Sequence, residues 1–344
     1  MARTRLSVPD RVRYFSQRAA WFAAGAAFGS VVGRATGVQR VPPGRATVLA
    51  LRKRLVKLVK ADLRNVELGH YPPELLSSSL SRQIVRALPS LVRDAPLFAA
   101  RKRDGNFKDL PEHVELAAFP AYYRRNFHWQ SDGYLSDASA AVYEASVELL
   151  FRGTADVMRR QLIPHLSRLR SGGEPFHRLL DLGAGTGGML AMFARCFGEL
   201  QLDGIELSPF YANEANRRLG ARAHVSAGNA ESLSAARGSY DAVTSVFMFH
   251  ELPRRARRNV LKEAYRVLRP GGLLVIADSS QYADAPELRE VLDAFPREFH
   301  EPYYLDYLAD PLPELVREAG FVVEAHESHM VATVVAARKP RYAA

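Results

Sequence analysis

Leu179–Leu190 reads LLDLGAGTGGML. Apolar residues at 179, 180 and 182 run into glycines at 183, 185, 187 and 188, and apolar residues resume at Met189 and Leu190. That pattern is a strand passing through a tight turn into a helix. Gly183, Gly185 and Gly187 let the backbone turn sharply and approach a ligand, because no Cβ stands in the way. The N–H groups that open the following helix then face whatever carboxylate or phosphate lies there. Gly183, Gly185 and Gly188 also satisfy G-x-G-x-x-G, the dinucleotide fingerprint, so the loop alone leaves the ligand class open.

Two acids flanking the loop discriminate. Asp181 stands two residues before the first glycine. A carboxylate there repels a pyrophosphate but accepts a hydrogen bond from an ammonium group or its water shell. Glu206 closes the next apolar run, LQLDGIEL, where a carboxylate can accept from both hydroxyls of a ribose. Further apolar runs follow in RAHVSAG, YDAVTSVFMF, GGLLVIAD, FVVEAHES and MVATVVAARK. The first five runs from Phe176 onward are separated by helix-compatible segments or long connections, which predicts a parallel sheet with helices on both faces. A short link around Ser328 and His329 joins the last two as an antiparallel pair. The expected fold is therefore α/β, a doubly wound, mostly parallel seven-stranded sheet with a terminal antiparallel hairpin, preceded by an N-terminal helical region.

With these features the sequence resembles the class I, Rossmann-like S-adenosylmethionine-dependent methyltransferases. That family reads strand, D/E-x-G-x-G-x-G, helix, here Asp181 to Gly187, with an acid ending strand two, here Glu206. Its third strand commonly ends in Gly-Asp-Ala; here Gly228, Asn229 and Ala230 stand there, which keeps an acceptor for an adenine amino group but removes the charge. EAYRVLRPGGLLVIAD matches the family's helix–turn–strand segment. Within the family the likeness is to the small-molecule branch that includes the ubiquinone and menaquinone C-methyltransferases, and it covers roughly residues 170–340. The resemblance implies S-adenosyl-L-methionine as cofactor. Asp181, Gly183, Ala184, Gly185 and Gly187 would hold its methionine part and Glu206 its ribose. Asn229 and Ala230 would hold the adenine, Leu207 would stack on it, and Phe247 would stand near the methyl group. A dehydrogenase is the alternative enzyme class, opposed by Asp181, the Arg-Pro-Gly-Gly strand and the terminal hairpin. A non-catalytic cofactor-binding partner subunit is the other alternative.

Upstream, residues 1–45 form a basic arm ending at Pro42-Pro43-Gly44, and residues 46–170 read as a helical lid or substrate region before the catalytic domain at 171–344. One helix is expected from Ser136 to Gly153, with Thr154 capping the next, and Ser171–Pro175 (SGGEP) reads as a turn-rich joint. The block NFHWQSDGYLSDASAAVYEASVELLFRGTADVMRR resembles methyltransferase-like proteins of bacteria and plastids, so these helices are expected to belong to the enzyme. The net charge of +10 is concentrated at the start: residues 1–60 hold 13 Lys/Arg against Asp10 alone, and the remaining 284 residues sum to −2. The catalytic half thus lacks the positive field that a nucleic acid requires. Ala19–Gly33 is an apolar run too short to span a bilayer. Leu51, Leu55, Leu58 and Val59 share one helix face, with Lys53, Lys57, Lys60 and Arg64 on the other. Such a helix can lie on an anionic membrane or dock on the domain with its charges in water. The single cysteine, Cys196, excludes a disulfide framework and a Cys-rich zinc site and fits a reducing cytoplasm. The protein is expected to be cytoplasmic, with peripheral membrane contact through the arm left open.

For the chemistry, His250 follows strand four and is the first candidate for a general base, its ordinary pKa lying near 6.5. Glu251 reads as structural or exposed. Tyr123 and His128 are further catalytic candidates, from an aromatic cluster that includes Trp129 and Tyr134. A second cluster holds His300, Tyr303, Tyr304 and Tyr307, between Pro296 and Pro311. Both clusters suit a flat small-molecule acceptor, and no metal is expected.

Overall fold

A computed structural model describes residues 5–36, 42–77, 80–173 and 176–341. Parts of the basic arm (1–4 and 37–41) and Glu174–Pro175 of the predicted joint lie outside the described residues. The N-terminal region consists of helices α1 (Val8–Thr36), α2 (Arg45–Glu67), α3 (Leu80–Asp104), α4 (Asp137–Leu150), α5 (Ala155–Arg159) and α6 (Ile163–Ser171). After these come β1 (Arg178–Leu182), α7 (Gly188–Cys196), β2 (Gln201–Glu206), α8 (Pro209–Leu219), β3 (His224–Ala227), β4 (Tyr240–Val246) and α9 (Arg254–Val267). The chain closes with β5 (Leu268–Ser279), α10 (Arg289–Glu298), α11 (Tyr304–Leu308), α12 (Leu312–Glu318), β6 (Val322–His329) and β7 (Ala332–Arg338).

The seven strands line up as β3-β2-β1-β4-β5-β7-β6. Pairs among β1 to β5 are parallel, while β7 runs antiparallel to both β5 and β6, as predicted. The order reverses at β1 and β4, and a doubly wound sheet opens a crevice at the carboxyl ends of its strands at such a switch point. Leu179 and Leu182 of β1 face opposite sides and sit in different apolar cores, one under α6 and α7, the other under α9 and α12.

Ser136 caps α4, its hydroxyl accepting from the Ser139 N–H at 3.1 Å. Thr154 departs from expectation: it precedes α5, but its hydroxyl donates to the Phe151 carbonyl at 2.6 Å instead of accepting from the new helix. Strand four also differs, ending at Val246 rather than running through Phe249. Phe247 takes a left-handed conformation (φ 54°), and Phe249–Glu251 form a 3₁₀ turn.

The arm is not separate from the rest. Leu6, just before α1, and Tyr14 within it enter the same core as Leu179 and Val275 of the sheet. Trp21 covers Gly153 so closely that a Cβ there would collide with the indole. The apolar face of α2 is docked, with Leu58, Val59, Leu63 and Val66 buried, while Lys53, Lys57, Lys60 and Arg64 stay exposed. Asp62 lies on that buried face. Arg160 donates to both its oxygens at 2.6 Å, and the hydroxyls of Tyr14 and Tyr71 donate at 2.6 and 2.5 Å. A buried charge is tolerated when paired and fully hydrogen-bonded, and this network ties α1 and α2 to the segment leading into the sheet. Among the described residues no helix is long and apolar enough to cross a membrane.

Candidate active site

The glycine loop leaves β1 with Gly183, Gly185 and Gly187 all at positive φ (67°, 55° and 77°). At Gly183 a Cβ would stand 2.7 Å from Met248 Sδ, whereas at Gly185 it would meet nothing nearer than Tyr143, at 3.8 Å. The Gly183 and Ala184 N–H groups donate to the Ile205 carbonyl, which fixes the loop against β2. Glu206 at the end of β2 is buried; its Oε2 accepts from the Gly185 N–H and its Oε1 from the Ser208 N–H, each at 2.9 Å. Tyr123 from the lid donates to Oε1 at 3.3 Å. Burial pushes the Glu206 carboxyl above its ordinary range, while the Ser208 and Gly185 amides pull it back.

A cleft of about 90 Å³ opens over this loop. Gly183, Gly185, Glu206, Leu207, Asn229, Ala230 and Phe247, all expected at the cofactor, line it. Asp181, Ala184 and Gly187 do not. Asp181 sits beneath the loop, accepting from the Thr244 hydroxyl at 2.6 Å, and burial lifts its pKa to about 7. Ala184 packs against Gly204, and Gly187 caps α7 against Leu219. Asn229 accepts the Glu231 N–H at 2.9 Å, so its carbonyl oxygen orders the turn after β3.

On the other side of the Phe247–Glu251 turn lies a cavity of about 670 Å³ with mostly apolar walls from α1, α2, α3, α4 and α10. His250 lines it. His250 Nδ1 lies 2.7 Å from Asp278 Oδ1, and Asp278 Oδ2 accepts the Met248 and Phe249 N–H groups at 3.0 and 2.8 Å. Asp278, at the end of β5, thereby shapes the turn and orients the imidazole together. Burial alone would lower the His250 pKa, but the Asp278 charge and hydrogen bond outweigh it and the net shift is upward. The geometry leaves Nε2 as the nitrogen not engaged by Asp278, the arrangement of an oriented general base.

The aromatic clusters divide between the two spaces. Tyr123 and Tyr134 line the cleft over the glycine loop, and burial raises both phenols well above their ordinary pKa, so each acts as a hydrogen-bond donor. Tyr123, expected beside the acceptor, stands on Glu206. His128 and Tyr304 line the large cavity. His300 instead stacks on Phe107 (4.5 Å between centroids) and Tyr303 accepts from Arg125, while Tyr307 is buried with its hydroxyl on the Ser279 carbonyl. Glu251, read as structural or exposed, is half-buried; it lines both spaces and accepts from the Tyr134 hydroxyl at 2.7 Å.

Residues 179–272 match the family model described as "Methyltransferase domain". A ubiquinone/menaquinone biosynthesis C-methyltransferase of Methylobacterium nodulans is 33% identical over 158 residues, covering 44% of this chain and 60% of that protein. A 24-methylenesterol C-methyltransferase 2 of Oryza sativa is 33% identical over 159 residues, covering 44% of this chain and 42% of that one. The chain spans less than two thirds of the length of these curated relatives. Among solved structures, phosphoethanolamine N-methyltransferase 2 of Haemonchus contortus is similar at 21% identity, with a TM-score of 0.40 over 53% of this chain and 52% of that chain. Residues 179–272 are thus similar to a methyltransferase domain, and the sheet around them has the strand arrangement expected of the class I, Rossmann-like S-adenosylmethionine-dependent enzymes. The chain's likeness is to the C-methyltransferases of ubiquinone and menaquinone biosynthesis. The cleft fits the cofactor of that class: Gly185 leaves room above the loop, and Glu206 is a buried carboxylate facing that room.

Proposed function

We propose that this protein transfers a methyl group from S-adenosylmethionine to carbon or oxygen of a flat, lipophilic small molecule bearing a phenol or enol. The observation that carries the reading is the Phe247–Glu251 turn, which lines the cofactor cleft on one side and the large apolar cavity on the other. When bound, S-adenosylmethionine supplies an electrophilic methyl on its sulfonium. Gly183 and Gly185 hold its amino-acid part, Glu206 its ribose, and Asn229, Ala230 and Leu207 its adenine. His250 takes the acceptor's proton at Nε2 while Asp278 fixes Nδ1, and the aromatic walls align the acceptor and keep water out. The sterol and quinone relatives support a lipophilic acceptor, and the −2 balance of residues 61–344 argues against a phosphate polymer. The test is methyl transfer to a prenylated demethylhydroquinone. His250→Ala is expected to lose transfer and keep S-adenosylhomocysteine binding. Undiminished transfer by His250→Ala would remove the base, and efficient methylation of RNA would sink the acceptor class.

Peripheral contact with an anionic membrane from the cytoplasmic side is the second part of this reading. Val8, Val12 and Phe15 are exposed at helical spacing on α1, among the charges that give residues 1–60 their +12 surplus. Phe22, further along α1, is exposed and also lines the large cavity, which puts the cavity's mouth beside the basic arm. Flotation with phosphatidylglycerol vesicles is expected to carry the protein up and to weaken with salt. Equal recovery with neutral phosphatidylcholine vesicles would contradict it.

A further inference from the structure

Where the lid meets the Phe247–Glu251 turn, three donor groups from distant parts of the chain converge. His128 Nε2 lies 3.0 Å from Glu301 Oε1 and 3.5 Å from Glu251 Oε1, and the nearest ligand atoms of all three residues lie within 4.8 Å of one another. Glu301 is buried, its side chain without exposure, and neither carboxylate oxygen has a hydrogen-bond partner among the described residues. The contact with His128 is close, yet it does not make a hydrogen bond. Leaving a buried carboxylate unpaired costs several kcal/mol, so a folded protein compensates it with a proton or a cation.

The spacing favours a cation. Donors about 2.1 Å from a metal stand about 3.0 Å apart in octahedral geometry and about 3.4 Å apart in tetrahedral geometry, close to the two distances from His128 Nε2. His128 is also held in a left-handed conformation (φ 53°), which is strained for a non-glycine residue. The strain is locked in by neighbours: Asn126 bonds the Asp109 and Gln130 carbonyls, and Arg101 bonds that of Trp129. Tyr134 orients Glu251 through its hydroxyl, the kind of support from behind that metal-binding carboxylates receive.

We propose that His128, Glu251 and Glu301 form a divalent-cation site whose open positions hold an oxygen of the acceptor. One imidazole with two carboxylates suits Zn²⁺, Mn²⁺ or Fe²⁺, and three protein ligands leave positions free. His128 and Glu251 both line the large cavity, and Glu251 also borders the cofactor cleft, so the free positions face the junction of the two. This deepens the methyltransferase reading and rests on it: the acceptor becomes a lipophilic molecule with a metal-binding phenol, enol or vicinal hydroxyl. No metal was expected from the sequence; Glu251 and Glu301 lie far from His128 in the chain, so no local ligand spacing marks the site.

Mn²⁺ added to the chelator-treated full-length protein, followed by electron paramagnetic resonance, reads the site without activity. One Mn²⁺ per chain is expected. Glu301→Gln and His128→Ala should each weaken it at least about 10-fold to 100-fold, the loss typical of disturbing a metal site. Calorimetry with S-adenosylhomocysteine on the same samples checks that the variants are folded; failure of that binding in the wild type would instead strike the methyltransferase reading. 4-Nitrocatechol, whose absorption moves when its oxygens chelate a metal, should shift only with the loaded wild type. No Mn²⁺ or Zn²⁺ binding by the wild type, with Glu301→Gln raising the melting temperature, would show that a proton compensates Glu301 and overturn the site. Full Mn²⁺ affinity in folded Glu301→Gln would overturn it as well.

Discussion

Glu206→Gln separates a ligand-binding carboxylate from one that merely ties the loop together. In the wild type its two oxygens serve the Gly185 and Ser208 amides at 2.9 Å, with the Tyr123 hydroxyl at 3.3 Å. Glutamine keeps the shape but offers one carbonyl oxygen, so one amide N–H must face the new NH₂ group. A buried donor left unpaired costs about 1–3 kcal/mol, and the variant should melt lower than the wild type. The cofactor loses more. Hydrogen bonds from ribose hydroxyls to a carboxylate are charge-assisted, and their loss should cost about 1.5–3 kcal/mol of affinity, or about 10- to 150-fold in Kd. Isothermal calorimetry with S-adenosylhomocysteine, alongside thermal melting, reads both effects. A lower melting temperature with Kd within twofold of the wild type would refute the ribose assignment and leave Glu206 as a loop anchor.

Asp62→Ala strips Arg160 of the carboxylate that pairs with it in a buried network and should cost about 3–5 kcal/mol in urea unfolding; a loss below about 1 kcal/mol would mean that the arm and α2 are only loosely attached. Asp181 supplies the pH dependence. Its folded pKa of about 7 lies above its unfolded value of 3.8, so between these values the folded state holds a proton that the unfolded state lacks. That contribution is full below the unfolded pKa, falls as pH rises, and is gone above about 7, amounting to at most about 4 kcal/mol. Asp181→Asn, with no such proton to lose, should flatten the decline between pH 4.5 and 7.5. Parallel wild-type and variant melting curves across that range would contradict it.

The sheet was legible because its signals are local. Apolar runs, a glycine-rich turn and the acids Asp181 and Glu206 are read over a few residues, and they anticipated the seven-stranded sheet with its terminal antiparallel pair and seven of the cleft's residues. The end of β4 was not, because YDAVTSVFMF has the composition of a long strand. What stops it is Asp278, some 30 residues on, which takes the Met248 and Phe249 amides and turns Phe247 left-handed. The same residue gives His250 its orientation, so the candidate base was nameable from sequence while its partner was not. Asp62 on an apolar stripe looks like a blemish until Arg160 is placed opposite. Glu301 sat within a recognised aromatic segment, where His300 and Tyr303 drew attention; the structure turns those two away from the cavity and the acid toward His128.

These long-range partners make the N-terminal helices part of the cleft. Glu144 of α4 accepts from the Thr186 hydroxyl inside the glycine loop at 2.9 Å, and Arg159 of α5 and Arg218 of α8 hold its carboxyl down to about 2 against the cost of burial. A Cβ at Gly188 would collide with that same carboxylate, so the opening turn of α7 is shaped to receive it. Ser208, whose amide serves Glu206, gives its hydroxyl to the Tyr134 carbonyl at 2.5 Å. Each main element of the cleft therefore has a second support from the region before the sheet: the loop from Glu144, the β2 acid from Tyr123, and the start of α8 from Tyr134. An isolated domain cut at residue 171 would keep the family's motif and lose those supports. The motif forms the floor of the cleft, and the helices that precede it complete the walls.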